Sequence, residues 1–584
     1  MNTEHKKQKN SCNFLLRIRL IKYCFYICIL AVIGRAFIIQ NFSDAGLREQ
    51  TLNIYSKKIT LKEKRGSIFD RNGEVLAISV DSWDIGLRPG FKGNFSDYAK
   101  LGEITGLTPG EVKNKLSSNS SFTFLKRKAS EQEIKKLTEL EKEYSLDSRL
   151  FEKIKTHKRI YPNKELAGAV IGFSNMNSQK TGIEREYDEV LKGDTAEVPI
   201  VSAGKGNWYK KPYYNDKEIK PGKDVYLTLD KNIQHIAEEA LEKTIQKFKA
   251  KNGKAVVMNP KTGEVLAMAQ YPFFNPNSYS DFSSHQWNNR NALDSFEPGS
   301  VLKVFLAAGA IESEFCTKNS IYYCQNGSYK IGPVTIHDTK PYKWLPVSDI
   351  IKYSSNIGAT KIAETVGRNS FYKILKDFGF GEKTGIDLAV ETRGILRPSN
   401  QWTKVDTSNI AFGQGITASS IQMTTAVSVI ANNGDLLKPY MVKEIKDSDG
   451  KVYNRFSKTV KKKVLSEHTA ETLKQIMANV ITQGTGKNAQ PSGYTAGGKT
   501  GTSQKLTPEG KYSREKYIST FLGFAPAKDP EIAVMVAIDE PKEAYYGGIV
   551  AAPVFKDITT KTLRYLNVLP EDITVALKGD FYAE

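Results

Sequence analysis

Glu297-Pro-Gly-Ser300-Val-Leu-Lys303-Val-Phe-Leu-Ala-Ala-Gly-Ala310 is the stretch on which the reading of this chain turns. A Pro-Gly turn delivers a serine to the first turn of an apolar, alanine-rich helix. Lys303 follows Ser300 at i+3, so hydroxyl and amine share one helix face. A lysine desolvated in such a place loses its proton near neutral pH and activates the serine as a nucleophile. The backbone N–H groups and positive dipole end of the helix suit an oxyanion. Alone the pattern is commonplace, because a solvated helix start carries it equally well.

Working outward, the upstream sequence predicts the scaffold. Val225–Leu229 reads as a strand, and Asp230 caps a helix with Ile233, Ile236, Ala237, Ala240, Leu241 and Phe248 at helical spacing. Strands at Ala255–Met258 and Val265–Ala269 follow, joined through the hairpin turn Asn259-Pro-Lys-Thr-Gly263. A long helix, an antiparallel sheet and then the serine helix make an α+β order, with the serine helix beside the sheet.

Downstream, Tyr353-Ser354-Ser355-Asn356 lies between two helical stretches. Ser354 and Asn356 offer a hydroxyl for proton relay and a carboxamide for a peptide group. In Thr495-Ala-Gly-Gly-Lys499-Thr500-Gly501-Thr502-Ser503, close glycines admit a substrate to the backbone, and Lys499, Thr500 and Thr502 suit a carboxylate. Lys499–Ser503 reads as an edge strand lining a cleft, followed by strands at Ile518–Ala525 and Ile532–Ile538. Gly493 to Thr500 also fits a P-loop pattern, with Ile532–Asp539 as its magnesium strand. A P-loop needs a strand before it and a helix after it, whereas Gln490-Pro-Ser precedes and Gly501, Pro508 and Gly510 follow.

The 584 residues leave room for roughly three or four domains. A net charge of +20 favours an anionic setting such as a membrane surface or an acidic polymer. No zinc spacing, RNP-like run or recognition helix supports nucleic acid, and six scattered histidines indicate neither metal nor cofactor. Lys6, Lys7, Lys9, Arg17, Arg19 and Lys22 precede or open an apolar run from about Leu20 to Ile39, about 20 residues and enough to span a bilayer. No small-residue cleavage site follows, so the run reads as an uncleaved single-pass anchor. The positive flank puts residues 1–19 in the cytoplasm, the anchor at 20–40 and the rest outside. Cys316 and Cys324 are close enough in sequence to bridge, with two free thiols equally open.

Residues 41–220 read as an elongated mixed α/β module for scaffolding or partner binding. Asn72-Gly73 is a hairpin turn, Asp70 and Arg71 read as a structural ion pair, and 99–155 as Lys/Glu-rich helices. A boundary near Lys220 opens a C-terminal domain at 221–570, leaving 571–584 as a tail.

Ser300-x-x-Lys303, Ser354-x-Asn356 and Lys499-Thr500-Gly501 stand in the order found in penicillin-binding proteins and serine β-lactamases. Arg65-Gly-x-Ile-x-Asp70-Arg71-Asn-Gly73, Gly182-Ile-Glu184 and Gly34-Arg35 resemble class B penicillin-binding proteins. Phe412-Gly-Gln-Gly-Ile416 through Gln422 and Ala551-Ala-Pro-Val-Phe555 resemble their septal type. The resemblance implies a C-terminal transpeptidase domain, an antiparallel sheet flanked by helices, that cross-links peptidoglycan stem peptides ending in D-Ala-D-Ala and is acylated by β-lactams. It implies Ser300 as nucleophile, Lys303 as base, Ser354 and Lys499 in proton transfer to the leaving amine, and Asn356 on the substrate amide. Thr500 and Thr502, with Gly501 between them, would receive the terminal carboxylate, and the N–H groups of Ser300 and Thr502 would form the oxyanion hole. Implied partners are the cytoplasmic membrane, a glycosyltransferase and other divisome membrane proteins. An elongation-type transpeptidase remains the alternative. A β-lactamase lacks its E-x-x-L-N motif here, a β-lactam sensor its extra spans, a bifunctional synthase its E-D-x-x-F-like motif, and a non-catalytic scaffold would show damaged motifs.

Overall fold

The computed structural model describes residues 4–41, 56–175, 178–202, 208–210, 219–507 and 509–571. Glu4–Asn41 is one helix, and its segment Leu16–Gln40 is long and apolar enough to cross a membrane, with none of its apolar window buried in the protein. Its 25 residues extend about 37 Å at 1.5 Å per residue, against a hydrocarbon core of about 30 Å.

A seven-stranded sheet knits the N-terminal module to the C-terminal part. Val75–Leu87 pairs with Ile68–Phe69, with Thr123–Ala129 and, over ten residues, with Phe151–Ile160. Ile68–Phe69 runs parallel to Asp224–Leu227, which in turn pairs with Val442–Lys446. Strands from before and after residue 220 thus share one ladder, and one apolar cluster holds Ile68, Phe173, Val225, Val256 and Met441 together.

Two expectations for this module are corrected. Helices occur at Tyr98–Thr105, Pro109–Leu116 and Glu131–Glu143, but Thr123–Ala129 and Phe151–Ile160 are strands. Their lysines and arginines hide the alternation of period two, because long cationic stems lie along the sheet and carry their charges to partners. Lys153 reaches Glu141, and Lys128 reaches the His157 carbonyl. Nor do Asp70 and Arg71 pair with each other. Asp70 is buried and accepts the N–H groups of Asn72, Glu74 and Lys231, while Arg71 stands 3.6 Å from Glu264.

The C-terminal part is built on a five-stranded, wholly antiparallel sheet ordered Val265–Tyr271, Asn252–Met258, Ile532–Asp539, Tyr512–Ala525, Gly497–Leu506. Both faces are covered, which is why Ile532–Ile538 is apolar without a break. Val534, Val536 and Ile538 pack towards the helices Lys231–Phe248 and Ala552–Tyr565. Ala533, Met535 and Ala537 pack with Val304 of the serine helix, Val427 and Met477. Gly497–Leu506 is the edge strand on the side of the serine turn, and Val265–Tyr271 is the opposite edge.

Candidate active site

Ser300 sits in a single 3₁₀ turn, Gly299–Val301, which runs into the helix Leu302–Glu312. That helix is buried from Leu302 to Ala310 and, apart from Lys303, apolar over that span, so it holds the serine on a rigid core element. Two glycines let the serine turn lie against the edge strand. Gly299 has φ +60°, and a Cβ there would meet the Thr502 carbonyl at 2.9 Å. A Cβ on Gly501 would meet Thr520 Oγ1 at 2.2 Å and the Pro298 carbonyl at 2.7 Å. On the other side Gly299 donates its N–H to the Gly413 carbonyl, and Gly415 donates its N–H to Glu297 Oε1.

A cavity of about 630 Å³ opens above this turn. Ser300, Ser354, Asn356, Thr500, Gly501 and Thr502 all line it. The Ser300 hydroxyl makes no hydrogen bond to another described residue and is half-buried. Lys303 and Lys499 lie beneath, fully buried. The six lining residues and two lysines singled out by the sequence therefore converge on one place.

Lys303 Nζ donates to the Ser354 carbonyl at 2.7 Å, to Asn356 Oδ1 at 2.7 Å and to Ser354 Oγ at 3.2 Å. The loop is shaped for this. Ser354 ends the helix Val347–Tyr353 in the left-handed region at φ 64°, and Ser355 caps the helix Asn356–Val366. A serine held in that conformation costs about 1–3 kcal/mol, and such strain gathers at functional sites. Burial pushes the Lys303 amine well below the ordinary lysine range, the charge of Lys499 pushes it further, and Asp338 opposes both. Lys499 Nζ donates to the Thr500 carbonyl at 3.0 Å and Thr500 Oγ1 at 3.3 Å, and burial lowers its pKa to about 7. Burial therefore disfavours the charged form of both amines, and near neutrality Lys499 is shared between its charged and neutral forms.

Several functional neighbours escaped the sequence reading. Asp338 accepts from the Asn356 and Ile357 N–H groups and from Ser355 Oγ, fixing the start of that helix. The His337 carbonyl accepts from Asn356 Nδ2, which turns Oδ1 towards Lys303. Thr485 Oγ1 lies 2.9 Å from Thr500 Oγ1, and Gly547 donates its N–H to Thr502 Oγ1. Only through-space contact links these residues to the motifs, and no local pattern marks them. The P-loop alternative finds no helix, since its lysine and threonine lie within the Gly497–Leu506 strand. Cys316 and Cys324 are buried free thiols, and Ser355 Oγ lies 3.6 Å from Cys324 Sγ. Among the described residues no group of three His, Cys, Asp or Glu side chains is placed to hold a metal ion.

Two family descriptions match the chain. "Penicillin binding protein transpeptidase domain" covers residues 253–560, and "Penicillin-binding Protein dimerisation domain" covers 60–227. The probable peptidoglycan D,D-transpeptidase PenA of Neisseria meningitidis is 32% identical over 562 residues, 95% of this chain and 93% of the relative. Stage V sporulation protein D of Bacillus subtilis is 32% identical, over 96% of this chain and 87% of the relative. Peptidoglycan D,D-transpeptidase FtsI of Escherichia coli is 27% identical, over 99% and 96%. Among solved structures, penicillin-binding protein 3 of Mycobacterium tuberculosis complexed with aztreonam superposes with a TM-score of 0.68 at 27% identity, covering 88% of this chain and 98% of that one.

Proposed function

The chain belongs to the class B penicillin-binding proteins and is a serine-type peptidoglycan D,D-transpeptidase; on that premise we propose that Ser300 is its nucleophile and the division septum its place of work. The observation that carries the assignment is the buried Lys303 amine, which hydrogen-bonds both Ser354 and Asn356 directly below the cavity that Ser300 lines.

In this reading Lys303 takes the Ser300 hydroxyl proton as Oγ bonds to the carbonyl carbon of the penultimate D-Ala. The Ser300 and Thr502 N–H groups hold the oxyanion, one such donor being worth about 10²–10³ in rate. The C–N bond to the terminal D-Ala breaks, and Ser354 passes the proton from Lys303 to the departing amine, with Lys499 supplying positive charge. Thr500 and Thr502 bind the terminal carboxylate, Gly501 keeps their strand close, and Asn356 holds the stem's amide. The amine of a neighbouring stem then attacks the ester and Ser300 recovers its proton. One amide replaces another, so no nucleotide is consumed. β-Lactams enter by the same first step.

The anchor, with its basic N-terminal flank, supports a single-pass protein of the cytoplasmic membrane with the cavity on the outer side. Likeness to FtsI over 99% of the chain supports septal duty, alongside a glycosyltransferase and other divisome proteins. Two experiments test this. With a D-Ala-D-Ala stem peptide and a D-amino acid acceptor, wild-type protein should release D-alanine and form the exchanged peptide, and Ser300→Ala should do neither. Depletion should give filaments; round cells would assign the elongation role instead.

A further inference from the structure

A second cavity, of about 310 Å³, lies at the end of the five-stranded sheet beneath the segment that leads into Ser300. Its floor is one sheet face, where Ile518 pairs with Asp539, Asp539 with Asn252, and Ala537 with Lys254. Its wall is Arg290, Asp294, Ser295 and Phe296, four to ten residues before Ser300, and Lys505 of the edge strand completes it. Gln504 lines the active-site cavity and Lys505 this one, so the two cavities lie on opposite sides of the same strand.

Hydrogen-bonding capacity in this cavity is lopsided. Its carboxylates are engaged: Asp294 accepts from Arg290 Nε at 2.7 Å, and Asp539 accepts from Lys505 Nζ and Asn252 Nδ2. Two of its cations keep hydrogen-bond donors unused. Arg290 is only 9% exposed, yet its buried Nη1 has no partner among the described residues. Lys254, 8% exposed, makes no hydrogen bond there either; its nearest carboxylate oxygen, on Asp294, is 3.8 Å away, and its ammonium rests 4.8 Å from the centre of the Phe296 ring. A buried donor left unmade costs about 1–3 kcal/mol, more when charged. What is missing is an acceptor, and at about 30 Å³ per water the space holds roughly ten water volumes.

We infer that this cavity binds a small oxyanion, a carboxylate or a phosphate, that bridges Arg290 and Lys254 behind the Ser300 turn. Phe296, Ile518 and Ala537 leave room for a compact apolar body beside the charged group. Nothing in this site depends on the role assigned to Ser300.

The test uses the full chain in detergent, first treated with penicillin to occupy the active-site cavity, and in parallel the Ser300→Ala protein. Each is titrated calorimetrically with inorganic phosphate and with D-alanine, against sodium chloride at matched ionic strength. Saturable heat with either compound, in both proteins, is the expected result. A phosphate-only response names phosphates, and a D-alanine response names amino-acid carboxylates. A tenfold excess over Kd should also raise the unfolding midpoint by about 1–2 °C. Arg290→Gln should weaken binding at least tenfold. Should that variant fail to fold, Lys505→Gln, at the more open rim, should weaken it about threefold. Responses no larger than with chloride, or variants that bind as wild type does, would overturn the inference.

Discussion

At the scale of single residues, the behaviour of the site follows from two buried amines and one carboxylate. In the proposed mechanism Lys303 is the base, and removing it should slow acylation by about 10²–10⁴, so Lys303→Met should take up fluorescent penicillin at that reduced rate while remaining folded. In the same mechanism the acid limb of the acylation rate reports the proton on Lys303, whose pKa Lys499 lowers and Asp338 raises. Lys499→Met should therefore move that limb to higher pH, and Asp338→Asn to lower pH, each read from rate against pH. Shifts of the opposite sign would show that another group titrates. The same ionisation is linked to stability. Lys499 titrates at about 7 when folded, below its ordinary value of 10.5, so the unfolded chain binds more protons between those limits. Stability at this group should rise with pH across that window, and Lys499→Met should flatten the rise in denaturation curves taken at successive pH values.

At the scale of elements, catalysis in this reading depends on how closely the serine turn lies against the edge strand. Gly501→Ala puts a methyl group where Thr520 and Pro298 already stand. Overpacking of this kind costs about 1–3 kcal/mol, so the variant should unfold earlier and lose penicillin labelling out of proportion to its loss of folded protein. Retained labelling would mean that the gap is not critical. The serine helix, the Ser354 loop and the edge strand were readable because each announces itself locally, by a Pro-Gly start, a junction between helices or a Gly-rich apolar run. Asp338, Thr485 and Gly547 were not, because each lies 15 to 45 residues from the motif residue it touches, outside any local pattern. The strand Phe151–Ile160, whose first five residues fall in the stretch expected to be helical, is hidden for another reason: its charges belong to long side chains that find partners across the module, as Arg159 does with Glu184 at 2.6 Å.

At the scale of the whole molecule, the N-terminal module and the enzymatic domain are tied by shared structure. Glu184 is fully buried and takes hydrogen bonds from Arg65, Arg159 and Tyr161. Breaking such a buried network from one side costs about 3–5 kcal/mol. Glu184→Ala should lower the denaturation midpoint accordingly, while the protein that remains folded still takes up penicillin at the wild-type rate. Because the sheet joins strands from before and after residue 220, removing residues 1–41 should leave a soluble protein that still acylates, whereas cutting at 220 should not. The central claim is that this anchored chain presents one activated serine. Fluorescent penicillin, followed by peptide mass mapping of the adduct, tests it most directly. One covalent label per chain, on the peptide containing Ser300 and absent from Ser300→Ala, is the predicted result; an unlabelled wild type, or equal labelling of the variant, would contradict it.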